Sequence, residues 1–362
     1  MATSLIGGRD MKNVKESPDA FETRKADHIR LALDESCQSN SGAGLNKVNL
    51  IHEALPEIDF DDVQIEQELF SRPMASPFFI SSMTAGHTGS LNINLIMARV
   101  AERRRWPMGV GSQRRQLTDF SVDSEWRAIR KECPRVRFFG NIGLSQLIRS
   151  EVSEIRRLAD TLEAEAMIVH TNPLQECLQP EGTRHFAGGY RALENLVKEL
   201  GLPVIVKETG CGFSSRTLAR LSGIGLAAVD VAGRGGTHWG RIEGGRSAKN
   251  SLLFQAAETF GNWGIDTVDS LLTAKNIAID FELWASGGVR SGLDAAKLLA
   301  LGASRIGLAK PLIEAALKGE QALDREMERL EYELKVAMFC TGSRTIEDLG
   351  RSVETVDRNG GY

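Results

Sequence analysis

The stretch ELWASGGVRSGLDAAKLLALGASRIGLAKPLI, residues Glu282–Ile313, reads as strand, glycine pair, helix, strand and the start of a second helix. Its strands, around Leu283–Ser286 and Arg305–Leu308, are short apolar runs without polar alternation, as expected for strands covered on both faces of a parallel sheet. Gly287 and Gly288 let backbone approach a ligand, Ser291 is placed to cap a helix over Leu293–Leu301, and Pro311 suits a first helical position. Helix-start N–H groups beside Arg290 and Lys310 predict a pocket for a phosphate dianion; the plainer alternative is an ordinary βαβα unit with tight turns.

Outward from this stretch, strand-like runs recur from Phe78: FFISS, PMGVG, FFGNIG, AMIVH, PVIVKE, AAVDVAG, LWAS and RIGL. Helical patterns lie between them at Leu91–Arg105, Ser121–Lys131, Ser145–Leu162, Tyr190–Leu200, Ser214–Ser222 and Lys249–Phe260. Eight strand–helix repeats are the count of an α/β chain folded as a (β/α)8 TIM barrel, and such barrels commonly hold phosphate after strands seven and eight. A doubly wound open sheet would carry its phosphate glycines after the first strand instead. The expected division is a mobile N-terminal extension (1–20), an N-terminal helix and barrel cap (21–77), the barrel (78–319), and a C-terminal helical extension and tail (320–362).

With 362 residues, 42% hydrophobic and 25% charged, the chain can build a large core. A net charge of −4 argues against a nucleic-acid or anionic-membrane partner, while arginines bunched at Arg103–Arg105, at Arg114–Arg115 and around Arg24 suit a small anion. Five cysteines, none in a CxxC pair, predict a reducing compartment, and no apolar run approaches the roughly 18 residues of a membrane span. The expected location is cytoplasmic.

In a barrel of this kind chemistry gathers at the carboxyl ends of strands. Lys207, ending VIVKE, needs a negative partner if buried; a salt bridge to a neighbouring carboxylate, a Schiff-base role and contact with an anionic cofactor ring all remain open. His170, Asn172, Gln175 and Glu176 crowd seven positions; as a set they suit hydrogen bonds to a flat cofactor with one magnesium contact through Glu176, or a loop-stabilising pair. Ser112, Gln113 and Arg114 follow a Gly-Val-Gly turn, where Arg114 can fork onto a phosphate. Arg24, Lys25 and His28 read as a solvated helix face, away from the Ile29 and Leu33 side.

The motifs RKADH (Arg24–His28), HEALPEIDFDDV (His52–Val63), SSMTAG, VGSQR, NIG, HTNPLQE, QPEG (Gln179–Gly182), VIVKETG, DVAGRGGTHW, FGNWGI (Phe260–Ile265) and ASGGVRSG occur together. With them the chain resembles the type 2, FMN-dependent isopentenyl-diphosphate isomerases, from about Arg24 to Leu317; RKxxH, HxNPLQE and GGTxW in one chain are the specific part. The resemblance implies FMN contacts from Met83, Thr84, Ala85, Ser112, Asn141, Lys207 and Thr237, with Gly288, Val289, Arg290, Ala309 and Lys310 at its phosphate. It implies a substrate diphosphate gripped by Arg24, Lys25, His28, Ser112, Gln113 and Arg114, with Glu176 on Mg2+, and catalytic placement of Gln175, His170, Asn172 and Lys207. Ala85 and His238 depart from the usual pattern.

The implied reaction moves one double bond by adding a proton and removing another, which needs a dry, electron-rich site. Reduced FMN would act as the acid–base group with no net redox, requiring NADPH or a similar reductant and Mg2+, with Gln175 as an assisting relay. Family members assemble from barrels, so a homo-oligomer, tetramer or octamer, is expected. The competing readings are an FMN-dependent 2-hydroxy-acid oxidoreductase, favoured by the His238–Arg241 spacing, and a flavin-binding barrel without turnover.

Overall fold

The computed structural model describes residues 18–83 and 90–355. Eight parallel strands close into a barrel: β1 (Phe78–Ile80), β2 (Met108–Gly109), β3 (Phe138–Gly143), β4 (Ala166–Thr171), β5 (Val204–Glu208), β6 (Ala228–Asp230), β7 (Glu282–Ala285) and β8 (Arg305–Leu308). Closure is made by β8 on β1, in the register Ile306–Phe78, Gly307–Phe79 and Leu308–Ile80. The missing polar alternation is explained, in six of the eight strands, by two apolar surfaces. Phe79, Phe139, Ile168, Ile205, Ala228 and Trp284 form an inner cluster, while their neighbours Phe78, Phe138, Met167, Val206, Val229 and Leu283 pack in the outer core.

The amino-terminal end of the barrel is plugged. Gln67–Leu69 and Arg72–Met74 form an antiparallel hairpin, and Leu69 and Met74 belong to the inner cluster. Two buried guanidinium groups tie the plug down: Arg137 donates to the Leu69 carbonyl at 2.7 Å and Arg305 to that of Glu68. The hairpin's first strand is only three residues long.

The helices differ from expectation by one split and two additions. Ser145–Leu162 is two helices, Leu144–Leu147 and Val152–Leu162, because Glu151 and Glu154 build a capping box that starts the second. Trp239–Arg246 is helical although its glycines and charges carry no apolar stripe, and Thr267–Lys275 was likewise not expected. Helix Glu320–Cys340 lies along the barrel wall with Leu323, Met327, Leu330 and Leu334 buried, and helix Pro18–Leu33 precedes the barrel. Among the described residues no helix is long and apolar enough to cross a membrane.

Candidate active site

A cavity of about 530 Å³ opens at the carboxyl ends of the strands, a usual size for a small-molecule site. Its roof is helix Pro18–Leu33, which presents Arg24, Lys25, His28, Ile29, Ala32 and Leu33 to the cavity. The expectation of a solvated Arg24–Lys25–His28 face is corrected: Arg24 and His28 are each 7% exposed. Hydrophobic periodicity misread this helix because the surface it covers is itself polar. Phe21 supports the cations, with the Arg24 guanidinium 5.2 Å and the Lys25 ammonium 5.6 Å from its ring centre.

The chamber floor holds a buried ion pair. Lys207 and Asp230 sit in register on β5 and β6, 3.3 Å apart, with Asp230 fully enclosed. Ser286, just past β7, donates to Asp230 at 2.8 Å and lies 3.2 Å from the Lys207 ammonium. Of the three readings of Lys207, the neighbouring carboxylate is thus realised, while the lysine still lines the cavity. Asn141 and His170 stand beside it, joined at 2.9 Å. Burial, then the charges of Lys25 and Lys207, push the His170 imidazole down to about 3.

The HTNPLQE motif turns from β4 into the short helix Pro173–Leu178 and forms one wall. Asn172 donates to Gln175 at 3.0 Å and to Glu176 at 3.3 Å, and the Thr183 backbone N–H binds the other Glu176 oxygen. Gln175 donates at 2.9 Å to Glu243, a fully enclosed carboxylate that also meets His28 at 3.0 Å and Arg246 at 2.6 Å. These bonds hold the Glu243 carboxyl below its ordinary value against the opposing effect of burial. Sequence reading missed Glu243 and Asp230. Asp230 had a signal, a carboxylate inside an apolar strand; Glu243 had none, since its helix has no readable face. No group of three or more histidine, cysteine or acidic side chains placed for a metal occurs among the described residues, so a cation here would rest on Glu176 together with ligand oxygens and water.

At the opposite end, Gly287 and Gly288 adopt φ of +95° and +89°, and a Cβ on Gly288 would strike the Gly235 backbone at 2.6 Å. Two glycine turns thus meet backbone to backbone and leave peptide groups, Arg290 and Lys310 along the cavity. Ser291 caps its helix through the Asp294 N–H at 3.0 Å, as expected, but Asp294 in return accepts the Arg290 and Ser291 N–H groups. That helix start is therefore satisfied internally, and an anion there would rely on the Gly288–Val289 turn, Arg290, Ala309 and Lys310.

Ser112, Arg114, Asn141, Gln175, Glu176, Met83 and Thr237 all line the chamber. Gln113 is corrected: its side chain turns into the protein, holding the Asn141 N–H at 3.0 Å and the Leu158 carbonyl at 3.1 Å. Thr84 and Ala85 lie outside the described residues. His238 and Arg241, spaced like an acid–base pair, do other work. His238 caps helix Trp239–Arg246 by accepting the Arg241 N–H, and the Arg241 side chain holds the Gly261 and Ser36 carbonyls. The fit for a flavin nucleotide rests on the chamber volume, the glycine cradle and the charged floor.

This fold and site define a flavin-type barrel, and residues 118–355 match the FMN-dependent dehydrogenase family. Solved structures agree on the fold: a mandelate oxidase with (S)-2-phenylpropionate (TM-score 0.61, 20% identity, 94% of this chain and 98% of that one) and a flavocytochrome b2 mutant with pyruvate bound (0.66, 16%, 95% and 86%). Sequence relatives are nearer. The chain is 56% identical to an isopentenyl-diphosphate delta-isomerase of Bdellovibrio bacteriovorus, over 92% of this chain and 97% of that one. It is 55% identical to that of Legionella pneumophila strain Paris (91% and 96%) and 40% to that of a Nostoc species (91% and 95%). The chain belongs to the isopentenyl-diphosphate delta-isomerase family.

Proposed function

We propose that this chain interconverts isopentenyl and dimethylallyl diphosphate in the chamber described, with FMN and Mg2+ bound. The observation that carries the reading is one cavity lined together by Arg24, Lys25 and Arg114, by Lys207, and by the Gly287–Gly288 turn with Arg290 and Lys310. A mononucleotide phosphate fits the cradle end and a diphosphate the arginine–lysine end. Reduced FMN, when bound, supplies the acid–base group and returns unchanged, so a reductant such as NADPH is needed only to prime it.

The chain's own residues prepare that reaction. Lys207, held by Asp230, would offer its ammonium to a bound flavin and so favour the reduced anion. Glu243 fixes the Gln175 amide with its nitrogen turned to the carboxylate and its oxygen to Asn172, so Gln175 orients a proton path and does not itself titrate. Glu176, oriented by Asn172 and Thr183, would hold Mg2+, which would supply positive charge to the substrate diphosphate. The roof helix excludes water from the alkene, which strengthens every electrostatic contact inside. A cytoplasmic, homo-oligomeric enzyme is the accompanying reading, supported by charge and cysteine usage and by the family's habit of assembly.

The test is anaerobic incubation with dithionite-reduced FMN, Mg2+ and isopentenyl diphosphate, following the allylic isomer by NMR. Formation of the isomer is expected; no isomer, with flavin reduction by lactate or glycolate, would reject the reading. For the metal, Glu176→Gln is expected to shift the Mg2+ requirement upward, and an unchanged Mg2+ titration would remove Glu176 from that role.

A further inference from the structure

The hydrogen bonds around His170 lead back to a peptide carbonyl, and that sets their direction. The Val110 oxygen can only accept, so the Asn141 amide nitrogen faces it, at 3.0 Å. Asn141 Oδ1 then faces His170 Nδ1 at 2.9 Å, and an amide oxygen also only accepts. Turning the amide over would set oxygen against oxygen at Val110, and Gln113 pins the Asn141 backbone in place at 3.0 Å. The hydrogen of the neutral ring therefore sits on Nδ1. Nε2 keeps its lone pair, on the cavity wall beside Gly143 and Gln146.

We propose that Asn141 locks His170 in this tautomer, so that the ring waits as a proton-vacant acceptor and takes one proton from solvent on Nε2 when a diphosphate anion enters. The proposal rests on reading this cavity as a diphosphate site. The charged groups bearing on the ring are Lys25, from the roof helix, and Lys207, on β5 with Asp230 paired to it. Asn141 on β3 and Gln146 on helix Leu144–Leu147 are neutral. Two cations and burial keep the empty-site ring uncharged; an entering anion reverses the local field and stabilises the imidazolium, which donates from both nitrogens. No bond in the ligand changes, and the charge brought in is partly neutralised on arrival. Asn141 is a positioning residue, acting through His170.

The experiment uses FMN-loaded, oxidised protein with ¹⁵N-labelled histidines, titrated with inorganic pyrophosphate. The six histidines are few enough that the His170 signal is assigned by its loss in His170→Gln or His170→Asn. Before ligand the Nδ1-protonated neutral pattern is expected, and after saturation the doubly protonated one. In Asn141→Asp the ring is expected to be doubly protonated without pyrophosphate, because a carboxylate now faces Nδ1. Pyrophosphate affinity should fall by up to about tenfold more per pH unit in the wild type than in His170→Gln, as linked uptake of one proton requires. A ring protonated on Nε2 alone before ligand, or still neutral at saturation, would overturn the proposal and leave the diphosphate reading standing. Pyrophosphate that moves no signal and does not bind at any pH would overturn both.

Discussion

The two ends of the barrel are built from the same strands and solve opposite problems. At the amino-terminal end, Phe79, Phe139, Ile168, Ile205 and Trp284 fill the interior, and a hairpin closes it through Leu69 and Met74. Its charged residues are tied down locally: Arg137 donates to the Leu69 carbonyl and the Glu165 carboxylate, and Arg305 to the Glu68 carbonyl. A few residues further along, Asn141, His170, Lys207, Asp230 and Ser286 replace the aromatic layer, and glycine turns keep the chamber open. Apolar packing is concentrated at one end and polar, ligand-facing side chains at the other, which is how a rigid barrel supports a polar site.

Breaking the mouth should have the largest effect. Lys207→Met leaves the enclosed Asp230 carboxylate without its cation, for a loss of about 3–5 kcal/mol in urea unfolding together with loss of isomerase activity. Adding Asp230→Leu should return much of the stability and none of the activity; full turnover in that double variant would reduce Lys207 to a structural residue. At the plugged end, Trp284→Ala should lower unfolding stability by about 3–5 kcal/mol with the diphosphate KM unchanged, and a raised KM would show that the two ends are not independent.

A smaller change is expected from the roof. Lys25→Ala removes one charge-assisted contact, about 1.5–3 kcal/mol, so KM for the diphosphate should rise on the order of 10–100-fold in steady-state assays with folding intact. An unaltered KM would place the helix outside the reaction.

An effect spread over pH concerns Glu208, just outside the chamber. Burial raises its carboxyl from 4.5 to about 7, against opposing backbone N–H bonds from Cys211 and Thr209. The native state then holds a proton that the unfolded chain has released. Stability should therefore fall as pH rises from about 4.5 to 7, by at most about 1.4 kcal/mol per unit. Glu208→Gln should flatten that slope in pH-dependent denaturation; an identical slope would show that the carboxyl is not protonated there.

Legibility followed the range of the interactions concerned. All eight strands were readable because each is a short apolar run bounded by turn residues, and the Ser291 cap because it is local. The roof helix was readable as a helix, but periodicity alone took its polar face as solvated and only the motif resemblance turned it inward, since Arg24, Lys25 and His28 answer to a cavity dozens of residues away in sequence. Gln113 carried a plausible motif position and yet turns into the wall, where Asn141 and Leu158 need it.

By itself the amino-acid sequence determined the β/α alternation, the barrel count, the glycine turns near residue 287 and the family to which the chain belongs, because these are set by local propensity and by motifs contiguous in the chain. Only the tertiary structure decided that Asp230 is the partner of Lys207, that Glu243 joins His28 to Gln175, and that Asn141 orients His170. Those pairings depend on strand register and on which helix crosses which strand, and such long-range geometry leaves no periodic trace in the chain.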